Sequence, residues 1–286
     1  MGLARRLSRF AVSRHWTPGR QLRDAGHFWM ADPAVRAYVN ESVSGDAHVW
    51  PIEWFGRRFV SYPLRTVLLP GCGAGALERD LLSKGLCERV HAFDVAAPAV
   101  EEARRMAAEA GLADRIEYRV GDLAGISPPD VGYDACFFHH SLHHMADPDG
   151  AVRKVMGSLA PGGLLYLDEY VGPSRRQWDH RHFAFAAAVF DLIPREQRLH
   201  GRFQIPGLLA KLSDPSESIA SDRILAAVER HARVLVRRDY HGFLLQPIWT
   251  QIRHGEELVR TLIAIERSAA ELHSTWFSVV VATALG

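Results

Sequence analysis

Lysine is nearly missing from this chain. It stands only at positions 84, 154 and 211, so almost all of the positive charge is arginine. Cysteine is scarce as well: Cys72, Cys87 and Cys136 are the three, and their spacing is not that of a metal site. With Cys72 in a turn and Cys136 in a strand candidate, they read as reduced thiols of a cytoplasmic protein and not as a disulfide set. Net charge is also lacking. The formal value of +1 excludes a bulk field that would draw the protein onto nucleic acid or a membrane surface. No apolar run reaches the roughly 18 residues of a membrane span. Arg5, Arg6, Arg9 and Arg14 are followed by no long apolar stretch, so a secretory signal is not expected. There is no internal repeat and no low-complexity stretch. What remains is 286 residues, 48% hydrophobic and 23% charged, enough for one large globular domain or a domain with a cap.

The chain is organised around Val67–Gly75. Thr66, Val67, Leu68 and Leu69 form a short apolar run that reads as a buried strand. Gly71, Gly73 and Gly75 follow at alternate positions, and then Leu77, Leu81 and Leu82 fall at helical spacing. Strand, glycine turn and helix make a ligand cradle. The glycines allow a sharp turn and remove Cβ atoms that would hold a ligand off, and the helix start offers free N–H groups.

The alternation continues. Arg65–Leu69, Arg89–Phe93, Arg115–Val120, Tyr133–Phe138 and Leu164–Leu167 read as strands, separated by helices over Ala76–Lys84, Ala97–Ala110 and Pro148–Leu159. Pro161-Gly162-Gly163 reads as a turn. This is the pattern of βαβ units around a parallel sheet. Beyond it, Gly172–Ser213 is largely helical, Ser216–His231 and Phe243–Ser268 are helical, and Ala232–Arg237 and Thr275–Thr283 are β-like. The last run is assigned to an antiparallel final strand. Residues 1–62 form an N-terminal segment rich in aromatics (His27, Phe28, Trp29, Trp50, Trp54 and Phe55), which docks on the core; a lid or a homodimer surface is the alternative. Residues 63–286 form the main domain, with residues 172–219 as a cap.

Asp94, followed by Val95, ends the second strand 19 residues after Gly75. An acceptor-only side chain there suits the two hydroxyls of a ribose. Gly121-Asp122-Leu123 ends the third strand, where a carboxylate and a backbone N–H suit adenine. Taken together, Val67–Gly75, Asp94, Gly121-Asp122, Tyr133-Asp134 with the run to Met145, and Leu159–Gly163 resemble the successive motifs of class I S-adenosylmethionine (SAM)-dependent methyltransferases. The resemblance covers roughly Thr66 to Tyr170. It implies a Rossmann-like, doubly wound seven-stranded α/β sheet with the last strand antiparallel. It also implies SAM as cofactor, with Gly71, Gly73 and Gly75 near its methionine end, Asp94 and Val95 at the ribose, Gly121, Asp122 and Leu123 at the adenine, and Phe138 and His139 lining the site. One departure stands out. The family usually carries an acidic residue two positions before the first glycine, where this chain has Leu69 followed by Pro70.

The histidine cluster His139-His140-Ser141-Leu142-His143-His144 follows strand four at the ligand-binding edge. Methyl transfer to a hydroxyl or amine often needs a base, and imidazole titrates in the right range. His144 is the first candidate and His143 the second. A second reading is a divalent metal held by His140, His143, His144 and Glu169, since His-x-x-His-His has the spacing of a Glu-x-x-Glu-His metal set in some methyltransferases of this kind. Such an imidazole-rich set suits Zn²⁺, Mn²⁺ or Fe²⁺. His241, Glu169 and Tyr170 are candidate acceptor contacts, as are residues 179–182. The function expected is O-methylation of a hydroxyl on a sugar, polysaccharide or other polar small molecule. The alternatives are a lipid or polyketide hydroxyl or an amine, and, in another class, a SAM-binding regulator without transfer activity. The absence of a basic stripe excludes a nucleic-acid acceptor.

Overall fold

The computed structural model describes residues 28–125, 128–175, 177, 180–205 and 216–285. Trp178, Asp179, the side chains of residues 180–182 and much of the expected cap lie outside what is described.

Two helices precede the sheet, Pro33–Ser44 (α1) and Pro51–Phe59 (α2). Asp32 caps α1 by accepting the Ala34 and Val35 amides at 2.9 and 3.3 Å, and Pro33 fits the first helical position because it has no N–H to satisfy. Leu64–Pro70 (β1) leads through the glycine turn into Ala76–Ser83 (α3). Cys87–Asp94 (β2), Ala97–Glu109 (α4), Ile116–Val120 (β3), Tyr133–His139 (β4), Pro148–Met156 (α5) and Leu159–Tyr170 (β5) complete the alternating part. After it come His180–Leu192 (α6), Ile224–His231 (α7), Ala232–His241 (β6), Leu245–Trp249 (α8), Glu256–Ala269 (α9) and Phe277–Ala284 (β7).

The strands form one seven-stranded sheet in the order β3-β2-β1-β4-β5-β7-β6. β1 to β5 pair in parallel, and β7 runs antiparallel between β5 and β6. The doubly wound sheet with its final strand reversed is therefore present. Strand order reverses between β1 and β4, the crevice where open α/β sheets bind ligands.

Side chains alternate across the sheet, and this sorts the core into two layers. Val67, Leu69, Phe137 and Tyr166 pack with α1, α2, α8 and α9 on one face. Leu68, Cys136, Phe138, Leu165 and Leu167 pack with α5 and α7 on the other. Phe55 of α2 is fully buried, its ring 5.3 Å from Phe137 and 5.1 Å from Tyr166 between centroids. The N-terminal segment, from Trp29 onward, is thus part of the main core.

Three boundaries differ from the sequence reading. The helix expected to reach Leu159 stops at Met156, and Leu159 already belongs to β5. Pro161-Gly162-Gly163 is a bulge inside that strand, with pairing that jumps from Tyr133↔Leu159 to Ala135↔Leu164. Gly163 is needed there because a Cβ would lie 2.9 Å from the carbonyl oxygens of Ala160 and Tyr133. The helix expected over Ser216–His231 is confined to Ile224–His231, and β6 runs on to His241.

Candidate active site

β1 ends at Pro70, and the next turn reverses the chain through positive φ at Gly71 (72°), Gly73 (53°) and Gly75 (73°), a region closed to most other residues. The Gly71 and Cys72 amides donate to the Phe93 carbonyl at 2.8 and 3.1 Å, tying the turn to β2. Asp94 completes the tie: its Oδ2 accepts the Gly73 amide at 3.0 Å and its Oδ1 the Ala96 amide at 2.8 Å. The glycines serve the protein's own packing as well as any ligand. A Cβ on Gly71 would come 2.6 Å from the Ser141 Cβ, and one on Gly75 would come 2.3 Å from the Tyr118 hydroxyl.

The histidine loop is set by β5. Asp168 and Glu169 are neighbours and so point to opposite faces of the sheet. On one face, Asp168 accepts the Tyr240 hydroxyl at 2.6 Å, and the ring nitrogens of His139 and His140 lie 3.9 and 4.0 Å from its oxygens. On the other, Glu169 is fully buried. Its Oε1 accepts the Ser141 and Leu142 amides at 2.6 and 2.7 Å, and its Oε2 meets His143 Nδ1 at 2.7 Å. His140 is drawn to positive φ (50°) between these two anchors. Burial, and then the neighbouring His139, push its imidazole down to about 4, so it is neutral at pH 7. Burial opposes ionisation of Glu169, but His143 and the loop amides outweigh it and hold the carboxyl below its ordinary value.

A cavity of about 480 Å³ opens at this edge. Gly71, Cys72 and Ala74 of the turn, with Glu78 of α3, form one wall; His139, His140 and Asp168 form the second; Phe28, Arg36, Trp50, Ile52, Phe137 and Tyr166 form the third. A separate, smaller dip of about 100 Å³ is bordered by Phe93, Gly121 and Asp122.

The sequence candidates are distributed as follows. Gly71 and His139 line the main cavity, and Gly121 and Asp122 the smaller dip. Phe138 is not on the cavity side; it is buried in the opposite layer, and Phe137 takes its place. His143 and His144 are not among the cavity's lining residues and group instead with Glu217. The expected set His140, His143, His144 and Glu169 is divided between the two sheet faces: the groups that come together are His139 with His140 and Asp168, and His143 with His144 and Glu217. Glu169 anchors the loop, and Tyr170 is buried with its hydroxyl on the Pro173 carbonyl at 2.9 Å. His241 ends β6 at positive φ (62°), its ring near Phe243, away from the cavity lining. Val95 and Leu123 are half-buried beside Asp94 and Asp122.

The sequence reading passed over Glu78 and Arg36. Glu78 carried a signal: it lies three and four residues before Leu81 and Leu82, which puts an acid on the apolar face of its helix. Its side chain is fully buried and neither oxygen has a hydrogen-bond partner. Arg36 carried none, because its place depends on how α1 docks.

A cofactor with an adenosine end and a charged end fits this donor set. Asp94 retains acceptor capacity beyond the amides it binds, the turn is preformed, and the Glu78 oxygens and Arg36 Nε at the cavity lack hydrogen-bond partners. The methyltransferase-domain family matches residues 68–167. A ubiquinone biosynthesis O-methyltransferase of Methylocella silvestris is 36% identical over 169 residues, 58% of this chain, and the chain spans 63% of that relative's length. One of the same name from Xanthomonas campestris pv. campestris is 32% identical over 189 residues, covering 66% of this chain and 70% of that one. The crystal structure of geranyl diphosphate C-methyltransferase from Streptomyces coelicolor superposes with a TM-score of 0.57 at 14% identity, over 97% of this chain and 98% of that one, a likeness of fold. With the strand order, the glycine turn and these relatives in place, the chain belongs to the class I SAM-dependent methyltransferase family.

Proposed function

We propose that the protein moves the methyl group of SAM to a hydroxyl of a small acceptor with an apolar or aromatic body. The observation that carries this reading is the composition of the 480 Å³ cavity: the glycine turn and the His139–His140–Asp168 cluster share it with Phe28, Trp50, Ile52, Phe137 and Tyr166. A sugar would need several polar partners, and this third wall is largely aromatic. The wall supports a phenol- or lipid-type hydroxyl over a carbohydrate. The O-methyltransferase names of the curated relatives point the same way.

Bound SAM supplies an electrophilic methyl carbon for in-line displacement. Asp94 holds the ribose hydroxyls while its other lone pairs keep the turn in place. Asp122 receives the adenine edge. We assign the base to His140 in place of His144, since His140 faces the cavity and is neutral at pH 7. It accepts the hydroxyl proton as the oxygen–carbon bond forms and the sulfur–carbon bond breaks, and the Asp168 carboxylate stabilises the resulting imidazolium. Titration calorimetry with S-adenosylhomocysteine tests the cofactor half: the wild type binds it and Asp94→Ala does not. His140→Ala retains binding and loses about 10²- to 10⁴-fold in turnover of a phenolic acceptor. Unchanged turnover would remove the base assignment.

A second reading adds a divalent ion at His143, His144 and Glu217. The two Nε2 atoms face the Glu217 carboxylate at 3.9 and 3.8 Å, and Glu169 fixes His143 from behind, as carboxylates do for metal-bound imidazoles. Two imidazoles and one carboxylate suit Zn²⁺, Mn²⁺ or Fe²⁺. Elemental analysis of the purified protein, with and without chelator, checks it: one equivalent of a single metal, lost in His144→Ala, is the supporting result.

A further inference from the structure

Two ionisable side chains face the main cavity with hydrogen-bonding atoms left unsatisfied. Glu78 is fully buried on α3, and neither of its carboxylate oxygens has a hydrogen-bond partner. Leaving a buried carboxyl unpaired is costly. The neighbouring cation, Arg79, acts on it only through space and makes no hydrogen bond to it. Arg79 is committed elsewhere, with Nη1 on the Ala74 carbonyl at 2.8 Å and Nη2 toward Met106 Sδ. The remaining groups around Glu78 are Cys72, Asp94, Tyr118 and Cys87, which are acids or weak donors. Burial accordingly pushes the carboxyl up to about 8. Across the cavity, Arg36 of α1 lies over the Trp50 ring at 4.5 Å, and its Nε is buried without a partner. The cavity thus offers a carboxyl and a guanidinium Nε without hydrogen-bond partners, beside the glycine turn.

That pattern is the complement of a free α-amino acid group. We propose that Glu78 and Arg36 receive the α-ammonium and the α-carboxylate of the methionine end of SAM, Glu78 supplying from the helix the acidic group that Leu69 does not provide from the strand. The proposal rests on the reading that the glycine turn cradles SAM. It explains why a carboxyl is retained on the apolar face of α3, where a leucine would pack without cost. It also gives α1 a part in cofactor binding in addition to packing.

Two ligands separate this from the reading beneath it. S-adenosylhomocysteine carries the amino acid end; 5′-methylthioadenosine has the same adenosine and thioether without it. Calorimetry with the full-length wild type is expected to show S-adenosylhomocysteine binding the tighter. In Glu78→Gln its affinity falls by at least about tenfold, while methylthioadenosine binds within about twofold of wild type. Arg36→Gln, on a different helix, shows the same split and tests the carboxylate half independently. A melting curve accompanies each variant, and Glu78→Gln melts no lower than wild type because a neutral amide replaces an unpaired acid. Equal binding of S-adenosylhomocysteine by wild type and both variants overturns the proposal. So does a parallel loss of both ligands, which would mark the two residues as structural. Failure of the wild type to bind either ligand overturns the cofactor reading itself.

Discussion

Glu169 and Glu78 are both fully buried carboxyls, and their energetics run in opposite directions. Glu169 is held by two backbone amides and His143, and these contacts offset the loss of hydration. Its folded pKa lies below the ordinary 4.5, so the stability it contributes is present above that value and disappears as pH falls through the folded one. Glu169→Ala removes the carboxylate that His143 Nδ1 and two buried amides bond and is expected to cost about 3–5 kcal/mol at pH 7, measured by urea unfolding, with the deficit shrinking below pH 4.5. Glu78 is raised from 4.5 to about 8. It leaves the native state undisturbed below 4.5, and stability is lost as pH rises toward 8. Glu78→Gln therefore gains on the wild type across that window, by on the order of a few kcal/mol at the alkaline end, in urea unfolding without ligand. An equal pH profile for the two proteins would show that Glu78 is already satisfied. Stability gained together with ligand affinity lost is the mark of a residue kept for binding.

At the scale of elements, α2 is the piece that joins the N-terminal segment to the sheet. Phe55 fills the space between Phe137 and Tyr166, so Phe55→Ala is expected to cost about 3–5 kcal/mol, read as a shifted urea midpoint. The strand–turn–helix of β1 and α3 was legible in the sequence because local rules decide it: an apolar β-run, glycines where φ is positive, and leucines at helical spacing. Asp94 was legible for the same reason, since its register to the turn follows from β1 pairing with β2. The histidine loop was readable in content and not in arrangement. Which imidazoles meet depends on Asp168 and Glu169 facing opposite ways on β5, and no spacing within the loop carries that information. Phe138 and Phe137 were exchanged because a buried strand is apolar on both faces, which hides its phase. The end of α5 was misplaced because Ser158 and Leu159 continue a helical pattern, and only pairing with β4 makes Leu159 a strand residue.

Across the whole molecule, the two ends of the described chain close on each other. Glu266 of α9 accepts the Gly242, Leu244 and Leu245 amides at 3.0, 2.9 and 2.9 Å and meets the Tyr38 hydroxyl of α1 at 3.3 Å. Arg267 pairs with Glu41 on the same side. Trp29, Trp54, Trp249 and Trp276 lie together in the core layer beneath. Unfolding followed by tryptophan fluorescence and by far-ultraviolet circular dichroism is therefore expected to give coincident transitions; an earlier fluorescence change would show that this layer melts separately. No helix among the described residues is long and apolar enough to cross a membrane.

The aromatic wall of the cavity has a consequence for how such an enzyme can diversify. Phe28, Trp50 and Ile52 precede β1, whereas Gly71, Asp94 and Glu169 belong to the sheet and its loops. On the proposed reading, the part of the acceptor wall that precedes β1 is interleaved with Arg36, which serves the cofactor's carboxylate end. A laboratory graft of residues 28–52 from a relative therefore has to keep Arg36 if it is to change the acceptor and leave cofactor affinity as it was.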